Sequence, residues 1–140
     1  MHTVAPEVVS IAEACLGGLQ GRSALLIGSE EQRYPYMRLL RQARMKHVYQ
    51  EDTPLRVSYL LPYVQLLICA SLPHNVEDGG PLLKAATIAK GCEGRRTPLL
   101  IFDIAPSSSV EELAGLLPAV CLYTPDDLRH ILRKIEMKAS

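Results

Sequence analysis

Apolar positions along this chain follow two rhythms. Four short runs are apolar almost throughout, residues 23–28 (SALLIG), 64–70 (VQLLICA), 99–103 (LLIFD) and 120–123 (VCLY), and a fifth, 47–50 (HVYQ), also reads as a strand. Runs of this length, bounded by turn residues, read as strands buried in a sheet. Other stretches repeat at helical spacing. In residues 6–16, Val8, Ala12, Cys15 and Leu16 fall on one face, with Leu19 extending it. Pro6 suits the first turn of this helix (6–19 at its widest), and Gly17, Gly18 and Gly21 end it. In residues 33–44, Tyr36, Leu39, Leu40 and Ala43 face one way, and Arg38, Arg41, Gln42 and Arg44 the other. Pro35 is expected in the first turn there, which would start the helix late. Residues 51–54 read as a turn or cap. Thr124 caps a last helix over 125–138, with Asp126 and Asp127 in its first turn and a stripe of Leu128, Ile131, Leu132 and Ile135.

Strands that are apolar on both faces, alternating with helical segments, predict an α/β fold: a doubly wound parallel five-stranded sheet with helices on both faces. The expected strand order is 3-2-1-4-5. Residues 22–124 form its core, and the whole chain, 1–140, is expected to be a single domain.

Composition narrows the classes. The chain has 140 residues, 15 basic and 15 acidic, with 48% apolar side chains. That is the profile of one globular domain, not of a disordered chain. Zero net charge argues against direct nucleic-acid binding. The apolar stretch around residues 60–72 is broken by Pro62, Gln65 and Pro73, too short for a membrane span. The N-terminus lacks the pattern of a signal peptide. Cys15, Cys69, Cys92 and Cys121 are scattered, which reads as buried, reduced thiols and a cytoplasmic location.

In such a fold, ligands bind beyond the carboxyl ends of the strands, where the winding direction reverses. The first strand should open into a glycine-rich turn and a helix N-terminus that receive a diphosphate. Here the turn reads Gly28-Ser29-Glu30-Glu31-Gln32-Arg33, keeping only the first glycine. Glu30 stands at the point of closest approach, and Arg33 where the helix should pack tightly. Two carboxylates near a diphosphate cost about 1 kcal/mol each in water at contact range, more at lower dielectric. At the end of the second strand, Glu51 and Asp52 stand where an acid bonds a ribose 2′-OH, favouring NAD over NADP; a cap or solvated turn explains them equally.

These residues carry a family resemblance. Residues 21–28 (GRSALLIG), 67–74 (LICASLPH) and 98–105 (PLLIFDIA), continued by 117–123 (LPAVCLY) and 126–128 (DDL), are similar to the nucleotide-binding domain of glutamyl-tRNA reductase, the first committed enzyme of five-carbon tetrapyrrole synthesis. The likeness spans roughly residues 8–135, and its first strand is shared with shikimate dehydrogenase-like domains. It implies a Rossmann-like fold, an NADP or NAD cofactor and a link to porphyrin biosynthesis. The chain departs from the family at defined points. The family's Asn-Arg-Thr after the second strand, suited to NADP, is Glu51-Asp52-Thr53 here. Its valine-proline-arginine-aspartate after the fourth strand is Pro106-Ser107-Ser108-Ser109. The domain supplying the thioester-forming cysteine has no counterpart, nor has the helical dimerisation domain, unless the last helix is its stub.

The expected cofactor contacts are therefore Gly28, Ser29, Glu51, Ser71 and Asp103, with no catalytic residue and no metal site assigned; complete reductase activity is not expected. Ser71 and His74 share a loop and could pair as nucleophile and base, although a polar loop is the simpler account. Asp103 ends a buried strand, where it either contacts a ligand or caps the next loop. Cys69 reads as core, and Cys92 as an exposed thiol near Arg95 and Arg96. His2, His47 and His130 have no ligand spacing. Arg33, Arg38, Arg41, Arg44 and Lys46 form a basic cluster, either a solvated helix face or a surface for an anion or acidic partner. Tyr34, Tyr36, Tyr49, Tyr59 and Tyr63 favour association. The alternative function is a cofactor-free binding or regulatory protein acting as a homodimer or with a tetrapyrrole-pathway partner. A tetrapyrrole or an adenosyl compound in the same pocket is a third reading.

Overall fold

A computed structural model describes residues 4–70, 83–104 and 109–139. The elements run α1 (Ala5–Leu16), β1 (Ser23–Ile27), α2 (Glu30–Gln42), β2 (His47–Glu51), α3 (Val57–Leu60), β3 (Leu66–Cys69), α4 (Ala85–Gly91), β4 (Leu99–Asp103), β5 (Val120–Tyr123) and α5 (Pro125–Ala139). Two 3-10 segments, Pro54–Arg56 and Leu61–Tyr63, extend α3 at both ends, and a third, Glu112–Leu116, precedes β5. All five strands are parallel.

The sheet order is β2-β1-β3-β4-β5, not the expected 3-2-1-4-5. After β2 the chain passes back across β1 and adds β3 on its far side. The side chains explain which strand takes the edge. β2 reads HVYQE and is half-exposed, so an edge suits it. β3 reads LLIC and is buried throughout, so it needs neighbours on both sides.

Each central strand sends alternate side chains into one of two cores. Ala24, Leu26, Ile68, Leu100 and Phe102 pack beneath α1, α2 and the start of α5. Leu25, Ile27, Leu67, Leu99 and Ile101 pack beneath α3, α4 and Ala114 of the third 3-10 segment. The faces are unequally covered: the first carries helices of 12, 13 and 15 residues, the second carries α4 of seven and still shorter pieces.

Local sequence sets the helix ends. α1 stops at Leu16, short of Leu19, because the Gly17 and Gly18 N–H groups both turn back to the Glu13 carbonyl. α5 opens with a reciprocal cap: the Asp127 N–H donates to Thr124 Oγ1 at 3.1 Å, and the Thr124 N–H to Asp127 Oδ2 at 3.0 Å. α2 ends in a closed turn, with the Met45 N–H on the Leu40 carbonyl and the Arg44 N–H on the Arg41 carbonyl. That turn holds Arg44 at φ 63, where glycine is the usual residue. Arg44→Gly is therefore expected to stabilise the chain by about 0.5–1 kcal/mol in urea denaturation.

Gly91 has the opposite constraint. A Cβ there would lie 2.8 Å from Leu61 Cβ and 3.1 Å from Ser58 Cα, so α4 meets α3 through a bare backbone. Gly91→Ala should force the two apart and cost about 1–3 kcal/mol, read as a lower denaturation midpoint.

Candidate functional site

The winding reverses between β1 and β3, so their carboxyl ends border the crevice such sheets offer to ligands. Register aligns Ile27 with Glu51 and Cys69, and Cys69 with Asp103. Gly28, Glu51 and Asp103 therefore share one rim of the sheet. Ser71 and His74, and the segment 106–108, lie outside the described residues.

Gly28 is buried at φ 143, a conformation open mainly to glycine, and its N–H donates to the Glu51 carbonyl at 3.1 Å. Ser29 caps α2: its Oγ accepts from the Gln32 N–H at 3.3 Å and donates to Gln32 Oε1 at 3.0 Å. The helix begins at Glu30, directly after the turn. The expected late start is thus overturned. Pro35 sits inside α2, where its missing N–H leaves out one helical bond without displacing the N-terminus. Gly28 and the N-terminus of α2 thus follow β1 directly, at the carboxyl rim of the sheet.

The first side chains of that helix are acidic. Glu30 and Glu31 are exposed in the first turn of α2, where they complement the helix dipole themselves. Arg33 is only 9% exposed, and its Nη2 donates to Asp52 Oδ1 at 2.9 Å. It is thus not part of a solvated basic face; it bridges α2 to the end of β2, with its buried Nε lacking a hydrogen-bond partner. Arg38, Arg41, Arg44 and Lys46 are exposed, as a solvated face requires. Glu51 lies 3.4 Å from Arg56 Nε. Both acids at the 2′-OH position are therefore paired with arginine. Sequence reasoning noted the acids and missed their partners, because the Arg33–Asp52 pair forms only once α2 and β2 dock. Charge complementarity across one helix–strand unit was the available signal.

Asp103 points into the protein. It is 1% exposed, and its Oδ2 accepts from the Ser109 N–H at 2.8 Å and the Val110 N–H at 2.9 Å. That is the loop-capping role. Burial, then the neighbouring Asp103, pushes the Cys69 thiol well up. Burial also raises Cys92, against a smaller opposing pull from Arg95, and raises Cys121 together with Cys15 and Asp127. None of these three environments favours a thiolate. Cys92 is half-buried, and Arg95 beside it is committed to structure. Arg95 donates to the carbonyls of Leu61 at 2.8 Å, Thr97 at 2.7 Å and Pro98 at 3.3 Å, and also to that of Val64. A cleft of about 260 Å³ beside it, lined by Arg96, Thr97 and Pro118, lies at the amino edge of β4 and β5, away from the crevice.

Among the described residues, no group of three or more His, Cys, Asp or Glu could hold a metal ion, and no helix is long and apolar enough to cross a membrane.

Fold and rim together define a Rossmann-type α/β domain. The chain resembles glutamyl-tRNA reductases in particular. It is 28% identical to the enzyme of Methanospirillum hungatei over 92% of this chain and 35% of the relative. It is 30% identical to that of Methanoregula boonei over the same shares. The solved glutamyl-tRNA reductase of Methanopyrus kandleri superposes with a TM-score of 0.71 at 22% identity, over 94% of this chain and 37% of that one. Shikimate and 3-phosphoglycerate dehydrogenases share the fold at TM-scores of 0.59 and identities of 12% and 13%. No family model matches the chain. It spans about a third of the length of the curated relatives it matches.

The buried carboxylate makes a direct prediction. Asp103→Ala leaves the Ser109 and Val110 N–H groups without this acceptor, and should cost about 2–4 kcal/mol in urea denaturation. Faster amide exchange at residues 109–111 should accompany it.

Proposed function

We propose that this chain serves as a glutamyl-tRNA reductase-like nucleotide-binding module of tetrapyrrole biosynthesis in the cytoplasm. It takes NADP or NAD weakly, and the thioester chemistry of the whole reductase is not assigned to it. The observation that carries this reading is the joint one: likeness to glutamyl-tRNA reductases over nine-tenths of the chain, with a positive-φ Gly28 and the α2 N-terminus directly after β1, the position where such folds bind a diphosphate. Bound in the crevice, a reduced nicotinamide would supply hydride. Gly28 and Ser29 would face the diphosphate and Glu51 the ribose. Weak binding follows from Glu30 and Glu31, whose charges stand at the helix end a phosphate would use, and from Arg33 in place of the third glycine.

The second reading is a cofactor-free binding protein. The bridge from Arg33 to Asp52 favours it, since it closes the α2–β2 corner with a side chain of the protein's own.

Titration calorimetry separates the two. The resemblance points to NADP and Glu51 to NAD, so both are titrated, oxidised and reduced. The first reading expects saturable binding in the millimolar range. It also expects about tenfold or greater tightening in the Glu30→Gly, Glu31→Lys variant, because removing one like charge at contact range is worth about 1 kcal/mol or more. Absence of saturation in both proteins would sink the first reading and leave the second.

A further inference from the structure

Arg33 stands apart from the other basic residues of α2. Arg38 and Arg41 extend into solvent, whereas Arg33 is nine-tenths buried where the first turn of the helix ends. A guanidinium carries five N–H donors and stays charged, so its burial is costly unless those donors find acceptors. One does: Nη2 donates to Asp52 Oδ1 at 2.9 Å, the guanidinium's only hydrogen bond among the described residues. Nε is buried without a partner. The side chain of Asp52 is itself 77% exposed. The pair is therefore closed toward the protein and open toward solvent, and an exposed carboxylate is held only weakly in such a pair.

The position of this pair gives it meaning. Arg33 reaches from the start of α2 to the residue that follows β2, one place beyond the Glu51 carbonyl that holds the Gly28 N–H. In a doubly wound sheet the end of that strand is where the adenosine ribose of a nucleotide lies, and an arginine nearby accommodates a phosphate on that ribose. A second arginine, Arg56, lies 3.4 Å from Glu51 with its side chain 62% exposed. The corner thus sets two guanidinium groups against two carboxylates, beside a helix end that Glu30 and Glu31 make negative. A phosphate monoester brings three strong acceptor oxygens and a charge of about −1.5 to −2, which suits an under-bonded guanidinium better than one carboxylate does.

We propose that Arg33 receives a phosphate monoester on an adenosine ribose, and that the Asp52 carboxylate competes for the same position. The inference rests on the nucleotide reading above and narrows it to ligands that carry a ribose phosphate. On binding, Asp52 swings fully into solvent and Arg33 exchanges it for a partner with more oxygens. Asp52 is thus a competitor tethered to the site, a second cause of weak affinity besides Glu30 and Glu31.

Calorimetry with adenosine 2′,5′-bisphosphate, adenosine 3′,5′-bisphosphate and AMP, which lacks only the ribose phosphate, tests this on the full chain. One bisphosphate should bind about tenfold or more tighter than AMP. The preferred isomer tells a dinucleotide-type 2′-phosphate from a coenzyme A-type 3′-phosphate. Asp52→Asn should tighten that bisphosphate about fivefold and leave AMP within about twofold. Arg33→Met should erase the preference for the bisphosphate; because Arg33 is buried, the exposed Asp52→Asn keeps the test independent of that variant's folding. Equal binding of AMP and both bisphosphates overturns the proposal and leaves the nucleotide reading standing. So does an equal gain for AMP in Asp52→Asn, which marks Asp52 as a general repulsion. Absence of saturation by all three in both the unmodified chain and Asp52→Asn overturns the proposal; if NAD and NADP also fail to bind, the nucleotide reading falls with it.

Discussion

One buried carboxylate organises the half of the molecule that short elements cover. Asp103 ends β4 inside the protein and holds the Ser109 and Val110 N–H groups. The strand-like stretch so fixed pairs with Leu83, through the Leu83 N–H on the Ser109 carbonyl and the Glu111 N–H on the Leu83 carbonyl. The next side chain along, Glu111, accepts the Ala85 N–H at 2.9 Å and thereby caps α4. A chain of polar contacts thus runs from the sheet to the first turn of a seven-residue helix. So short a helix has little intrinsic stability and depends on what it docks against. Arg95 does the equivalent work at the other end of that face, gathering the carbonyls of Leu61, Val64, Thr97 and Pro98.

This division of labour separates the two sides of the sheet. Long amphipathic helices cover one side by apolar burial, which is non-directional and tolerant. Directional hydrogen bonds and a bare glycine backbone secure the other. Those contacts fix the elements without making them thick enough to cover their own outward-facing leucines and tyrosines.

The strands were legible because their burial leaves an unmixed apolar signature, and four of the five starts and ends fall within a residue of expectation. Strand order was not legible, since nothing local to β3 says on which side of β1 it lands; the polar composition of β2 held the clue, as an edge strand tolerates Gln50 and Glu51 where an inner one does not. The α2 start was misjudged through Pro35. Proline's cost inside a helix is real, but Ser29 as cap and two glutamates in the first turn outweigh it. At the rim, Gly28 and the paired acids could be seen in the sequence. The arginines that hold those acids could not, because their pairing is tertiary.

The same rule that steadies the helices shapes the crevice. Helices in this fold run against the strands, so helix N-termini gather at the carboxyl rim. Acidic residues favour such N-termini. Glu30 and Glu31 on α2, Glu112 on the third 3-10 segment, and Asp126 and Asp127 on α5 all obey that preference. Each choice adds local stability, and on α2 the sum is a negative helix end where the fold would otherwise attract phosphate. A domain selected for tight dinucleotide binding leaves that helix end uncharged and spends glycines there. This chain keeps the glycine that the backbone turn demands and places two carboxylates at the helix end beside it. The Rossmann-type backbone thus sits under a charge distribution set by the stability of its own helices.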